Sequence, residues 1–233
     1  MIVLEGINKK IGDKVILKNV SFNVNPGEFI TVLGPNGAGK STLFKIIALL
    51  MKPTSGMLKI NDIPVSEGGI ALRAKIGVIS HNSFLYESLS ARDNLIFYAK
   101  MYGLKLNEGE IKEIITKVGL ELSYYQTVKT FSRGMLQRLA IARCLLTNPE
   151  IVLLDEPYTG LDQQAIRILN DVLLELKKKK KTVLMITHNF EEGVELSSRI
   201  LILNRGQVIF NEPNNFELNN LKDIYLKKVG ITT

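Results

Sequence analysis

The chain has 233 residues, 45% apolar and 23% charged, values that exclude a disordered polypeptide and leave room for one large core or two small ones. One cysteine and two histidines exclude a disulfide framework, a cysteine-based metal cluster and a His-rich metal site. Lys and Arg number 30 against 23 Asp and Glu, a formal +7 that admits anionic partners: nucleotides, nucleic acid or an anionic membrane face.

At the start, Met1–Glu5 has no basic region followed by an apolar segment, so no secretory signal is expected. No apolar run reaches the roughly 20 residues of a membrane span; Ile46–Met51 is among the longest, and a cytosolic chain is expected. Val20, Phe22 and Val24 alternate with polar residues, as in a half-exposed antiparallel strand, and Asn25-Pro26-Gly27 signals a turn. Phe29–Leu33 is a short continuous apolar run, the pattern of a strand buried on both faces. The Gly-rich segment Gly34–Ser41 follows it and opens an apolar helix through Leu43, Phe44, Ile46 and Ile47. From about Ala91 to Leu146 no strand-like run occurs, and several helices are expected, two of them ended by Gly103 and Gly119. Ile151–Leu154, Val183–Ile186 and Ile200–Leu203 are again strand-like, with helical spacing from Leu161 to Leu176 between the first two. Lys177–Lys181 is read as a solvated connection rather than a lipid contact. Cys144 is expected to be a small core residue. The alternation predicts an α/β fold with a parallel core, a small antiparallel layer at the N-terminus and a helical insertion in the middle.

The chemistry concentrates after two strands. Gly34-Pro35-Asn36-Gly37-Ala38-Gly39-Lys40-Ser41 matches G-x-x-x-x-G-K-[ST] in its required strand–loop–helix context. Its glycines let successive backbone N–H groups curl round a phosphate, and the helix N-terminus adds its dipole. Lys40 would reach the β- and γ-phosphates of a nucleotide, and the Ser41 hydroxyl would ligate Mg²⁺. Ile151–Leu154 ends in Asp155-Glu156, two carboxylates at the carboxyl edge of the sheet, where ligands bind. Asp155 suits Mg²⁺, directly or through water, and Glu156 suits polarisation of an attacking water.

With these segments in order, the sequence resembles the ATP-binding subunits of ATP-binding cassette (ABC) transporters, over roughly residues 1–215. A third element, Phe131-Ser132-Arg133-Gly134-Met135, matches the family's Leu-Ser-Gly-Gly-Gln at Ser132 and Gly134 and departs at the other three positions. The resemblance implies a P-loop, RecA-like core with an inserted helical subdomain at about 88–146 within one domain spanning 1–233. It implies ATP and Mg²⁺ as cofactors, bound by residues 34–42, Thr42 included. It implies that Ser132 and Gly134 reach the γ-phosphate of ATP held by a second copy, that Asp162 in Thr159-Gly160-Leu161-Asp162 crosses between copies, and that His188 contacts the γ-phosphate and orients water.

Two departures stand out. Many relatives place a Mg²⁺-ligating glutamine where His81 stands, and an imidazole there is expected to act through a water or a hydrogen bond. The aromatic that often stacks on adenine falls near Ile11, an apolar surface without π stacking. The segments His81–Tyr86, Ala91–Leu95 and Phe131–Met135 are also similar to the ATP-binding subunits of cytochrome c biogenesis haem exporters. The resemblance thus implies an ATPase at the cytoplasmic face of the membrane, with integral-membrane transporter subunits as partners docking near His81–Tyr86, and no nucleic acid. Another small exporter ATPase, a soluble non-transport ABC ATPase and a small-molecule kinase are the alternatives.

Overall fold

The structure, a computed structural model, describes residues 1–80, 83–189 and 195–230. Two sheets carry it. The first is antiparallel, ordered β2-β1-β4-β5, from β1 (Ile2–Ile11), β2 (Lys14–Val24), β4 (Ser55–Ile60) and β5 (Ile63–Pro64). The second has six strands, β10-β9-β3-β8-β7-β6: β3 (Phe29–Leu33), β6 (Ile76–Ile79), β7 (Ile151–Asp155), β8 (Thr182–Ile186) and β9 (Arg199–Asn204) run parallel. β10 (Gln207–Pro213) closes the edge antiparallel to β9.

The continuous apolar runs are explained by the two-residue period of a strand, which sends neighbouring side chains to opposite faces. Val152, Leu154, Val183 and Met185 pack with the helices α3 (Ala91–Met101), α4 (Glu108–Lys117), α5 (Arg133–Leu145) and α6 (Gln163–Lys178). Ile151, Leu153, Leu184 and Ile186 pack with α1 (Lys40–Ile47) and the antiparallel sheet. Every residue of β3, β7 and β8 is buried, so each run fills two cores at once. At about 1.5–3 kcal/mol per buried aliphatic side chain, this arrangement stabilises the sheet far more than strand propensity could.

The parallel core, the antiparallel N-terminal layer and the helices between residues 91 and 145 agree with the pattern read from the sequence. The antiparallel sheet is larger than the Val20–Val24 alternation suggests, because β4 and β5 return to it after α1. The helix expected from Leu161 begins at Gln163, with Asp162 as its cap. Gly103 and Gly119, at φ +69° and +63°, follow α3 and α4 in the left-handed conformation that closes helices. α2 (Val65–Ala74) lies between β5 and β6, and α7 (Leu218–Val229) packs Leu221 onto β9 residues Ile200 and Ile202. Cys144 is buried in α5.

Candidate nucleotide site

The phosphate loop links β3 to α1 and leaves no choice of residue at its ends. A Cβ on Gly34 would lie 2.2 Å from the Leu203 carbonyl oxygen of the neighbouring strand. Gly39 holds φ +103°, and a Cβ there would approach Leu17 Cδ2 to 2.8 Å. The loop is braced from outside: the Gly206 N–H donates to the Ala38 carbonyl at 2.9 Å, and the Lys18 N–H donates to the Gly206 carbonyl at 2.8 Å. Lys40, the first residue of α1, is 7% exposed and donates through Nζ to the carbonyls of Gly34 (2.7 Å) and Pro35 (3.2 Å). An ammonium has three N–H donors, so one remains for a phosphate. Burial pulls Lys40 below the usual lysine range, and the charges of Glu156 and Asp155 oppose that shift. Ser41 is exposed and Thr42 half-buried at the N-terminus of the same helix, next to Asn36 and Gly37, which are also exposed.

Asp155 ends β7 and is 6% exposed. Glu156 leaves the strand at φ +50°, and its N–H still donates to the Ile186 carbonyl of β8 at 2.8 Å. That left-handed turn, costly for a residue with a Cβ by about 1–2 kcal/mol, swings the side chain across the end of β8. There Glu156 Oε2 accepts from the Thr187 hydroxyl and the His188 N–H, both at 3.3 Å, and lies 2.7 Å from His188 Nδ1. With an ionised carboxylate as acceptor, the imidazole proton belongs on Nδ1 and Nε2 is left for another partner. Lys40, Ser41, Asp155, Glu156 and His188 line one cleft of about 820 Å³. The donor set, a hydroxyl and carboxylates beside a lysine, fits Mg²⁺ held with phosphate oxygens.

Ser132, Gly134 and Asp162 gather elsewhere. Ser132 caps α5 by accepting from the Met135 N–H at 3.2 Å. Asp162 caps α6, accepting from the Ala165 N–H at 2.7 Å. The two caps interlock: a Cβ on Gly134 would lie 2.7 Å from Asp162 Oδ2, and one on Gly160 would lie 2.7 Å from the Arg133 guanidinium carbon. None of Ser132, Gly134 and Asp162 is among the described residues lining the 820 Å³ cleft. His81, expected at the Mg²⁺ site through a water or a hydrogen bond, lies outside the described residues.

Part of the cleft lining was not legible in the sequence. Val15, Ile16, Lys18 and Arg205 line the cleft, whereas Ile11 does not and is 50% exposed. Arg205-Gly206 is the two-residue turn between β9 and β10, and its arginine departs from the Asn-Gly and Asp-Gly pairs that mark such turns in a sequence. Its place against the phosphate loop depends on the hydrogen bonds between Lys18, Ala38 and Gly206, which no local pattern encodes.

A second cavity, about 460 Å³, opens between β6, α3 and α5, with Phe84, Tyr98, Tyr102 and Arg143 in its wall. Arg143 donates to the Val78 carbonyl at 2.9 Å, and its guanidinium carbon lies 5.2 Å from the Tyr98 ring centre and 5.7 Å from that of Phe84. Nearby, Tyr86, Phe97 and Met101 are exposed.

The family model described as "ABC transporter" matches residues 17–159. The uncharacterized ABC transporter ATP-binding protein YdbJ of Bacillus subtilis is 38% identical over 206 residues, 88% of this chain and 67% of that protein. The Nod factor export ATP-binding protein I of Bradyrhizobium diazoefficiens is 35% identical over 205 residues, 87% of this chain and 67% of that one. Among solved structures, the dimeric ATP-binding cassette MJ0796 bound to ADP and Pi is similar with a TM-score of 0.83 and 31% identity, covering 93% of this chain and all of that one.

Proposed function

Since the chain belongs to the ABC transporter family as an ATP-binding subunit, we propose that it hydrolyses ATP to drive export through integral-membrane partner subunits. The observation that carries this reading is the convergence of Lys40, Ser41, Asp155, Glu156 and His188 on one cleft. In the proposed mechanism the loop 34–42 cradles the phosphates, and Ser41 and Asp155 would hold Mg²⁺, which would supply charge neutralisation at the phosphates. Lys40 meets the charge that develops on the γ-phosphoryl group. Glu156 accepts a hydrogen bond from the attacking water and orients it, and His188, locked by its Nδ1 bond to Glu156, turns Nε2 toward the γ-phosphate.

Ser132, Gly134 and Asp162 have no role in the cleft of their own chain under this reading. They act on the nucleotide of a second copy, a homodimer whose two sites are each built from both chains. The dimeric form of MJ0796, a similar cassette, supports this. The domain is taken as one unit, 1–233, with the helical subdomain inserted at about 88–146. The 460 Å³ cavity with its aromatic rim, Phe84 in its wall, is the proposed seat for a membrane subunit, which would hold the chain at the cytoplasmic face. Among the described residues no helix is long and apolar enough to cross a membrane.

Haem is the cargo suggested by the similarity of the 81–95 and 131–135 segments to haem exporter subunits. Neither relative compared above is named for haem export, and one is named for Nod factor export, which supports the wider reading: a small exporter whose membrane subunits select the cargo. Glu156→Gln should retain ATP binding and lose turnover by about 10²–10⁴-fold, as removal of a water-orienting base does. Unchanged hydrolysis in that variant removes Glu156 from this role. Normal cytochrome c maturation in a strain lacking the chain removes haem as the cargo.

A further inference from the structure

We infer that Arg205 is the base-binding residue of the nucleotide site, its planar guanidinium stacking on the nucleobase. The inference deepens the ATPase reading above and rests on it. Sheet order gives the direction of the nucleotide. β3, which feeds the phosphate loop, has β8 and β7 on one side and β9 and β10 on the other. Asp155, Glu156 and His188 come from the β7–β8 side, so the γ-phosphate end lies there. The sugar and base must then extend toward the opposite half of the cleft, where Lys14, Val15, Ile16, Lys18 and Arg205 form the lining.

A base needs a flat partner, and among the described lining residues none is Phe, Tyr or Trp. His188 is engaged by Glu156 on the far side. Arg205 is the planar cation in the base half, and a guanidinium plane stacks on nucleobases as an aromatic ring does. The backbone reinforces this assignment. Arg205 and Gly206 form the two-residue turn between β9 and β10, with φ +46° and +80°. Such turns favour Asn, Asp or Gly at the first position, because a Cβ is strained there. An arginine held in that conformation, on a turn tied to Ala38 of the phosphate loop, is a local conflict of the kind that clusters at binding sites.

Calorimetric titration of the purified chain with ATP and Mg²⁺ tests the inference. Arg205→Gly should weaken ATP binding about tenfold, the loss of one stacking contact. The same change should raise the melting temperature of the free protein, because glycine relieves the turn; this separates lost binding from lost folding. Arg205→Lys, which keeps the charge and loses the plane, should weaken binding nearly as much. Wild-type affinity in Arg205→Gly overturns the inference, and so does wild-type affinity in Arg205→Lys beside a weakened Arg205→Gly, since charge alone would then suffice. Tight ATP binding by the wild-type chain with either of those results leaves the ATPase reading standing; a wild-type chain that binds no ATP overturns both.

Discussion

Lys40 shows how one side chain is prepared before any ligand arrives. Its ammonium is buried and held by two carbonyls of the loop it serves, so the entropy of positioning it is already spent in folding. Lys40→Ala should reduce ATP affinity by at least about tenfold while leaving the melting temperature of the free protein little changed, as fluorescence titration and thermal unfolding would record. A different outcome of burial is seen at Cys144. Desolvation pushes its thiol up to about 12, so the reactive thiolate is scarce in the folded chain at neutral pH. Thiol reagents should therefore label the protein only on unfolding, with label uptake tracking the denaturation curve rather than reagent concentration.

At the level of elements, the starts of α5 and α6 meet through glycines rather than through large side chains. Gly160 stands at φ +71° with the Arg133 guanidinium against it, and the Thr159 N–H beside it donates to the Glu156 carbonyl at 3.2 Å. The turn that carries Glu156 is thus in contact with the helix cap that carries Ser132. Gly160→Ala would add about 1–2 kcal/mol of backbone strain at φ +71°, while the exposed Arg133 side chain can swing clear of the new methyl group. Turnover should fall with the ATP affinity kept. Arg133→Ala in the same chain should recover little of the loss, because the strain lies in the backbone at position 160 and not in the guanidinium contact. Steady-state kinetics of the two single variants and the double variant would measure that coupling.

For the whole molecule, the separation of Ser132, Gly134 and Asp162 from the cleft of their own chain has a direct consequence. If a second copy completes each site, ATP turnover per chain must rise with protein concentration until the dimer is saturated. Glu156→Gln with ATP and Mg²⁺ should sediment as a dimer, and the same variant with ADP as a monomer. Turnover per chain that stays constant on dilution to the monomer would contradict the shared-site arrangement.

The sequence by itself determined the parallel core, the phosphate loop and the acidic pair, because each is written in contiguous residues: an apolar run too short for a helix, glycines at fixed spacing before Lys40, two adjacent carboxylates at the end of the apolar run of β7. It also carried the order of the motifs on which the family resemblance rests. What only the tertiary structure decided are the meetings of segments far apart in the chain. The return of β4 and β5 to the N-terminal sheet, the 2.7 Å pairing of Glu156 with His188, the fit of Gly134 against Asp162 and the place of Arg205 beside the phosphate loop all belong to this class. A local pattern reports which face of a strand or helix is apolar. Which other segment covers that face is fixed by the packing of the whole chain, and that information is spread over every residue of the core.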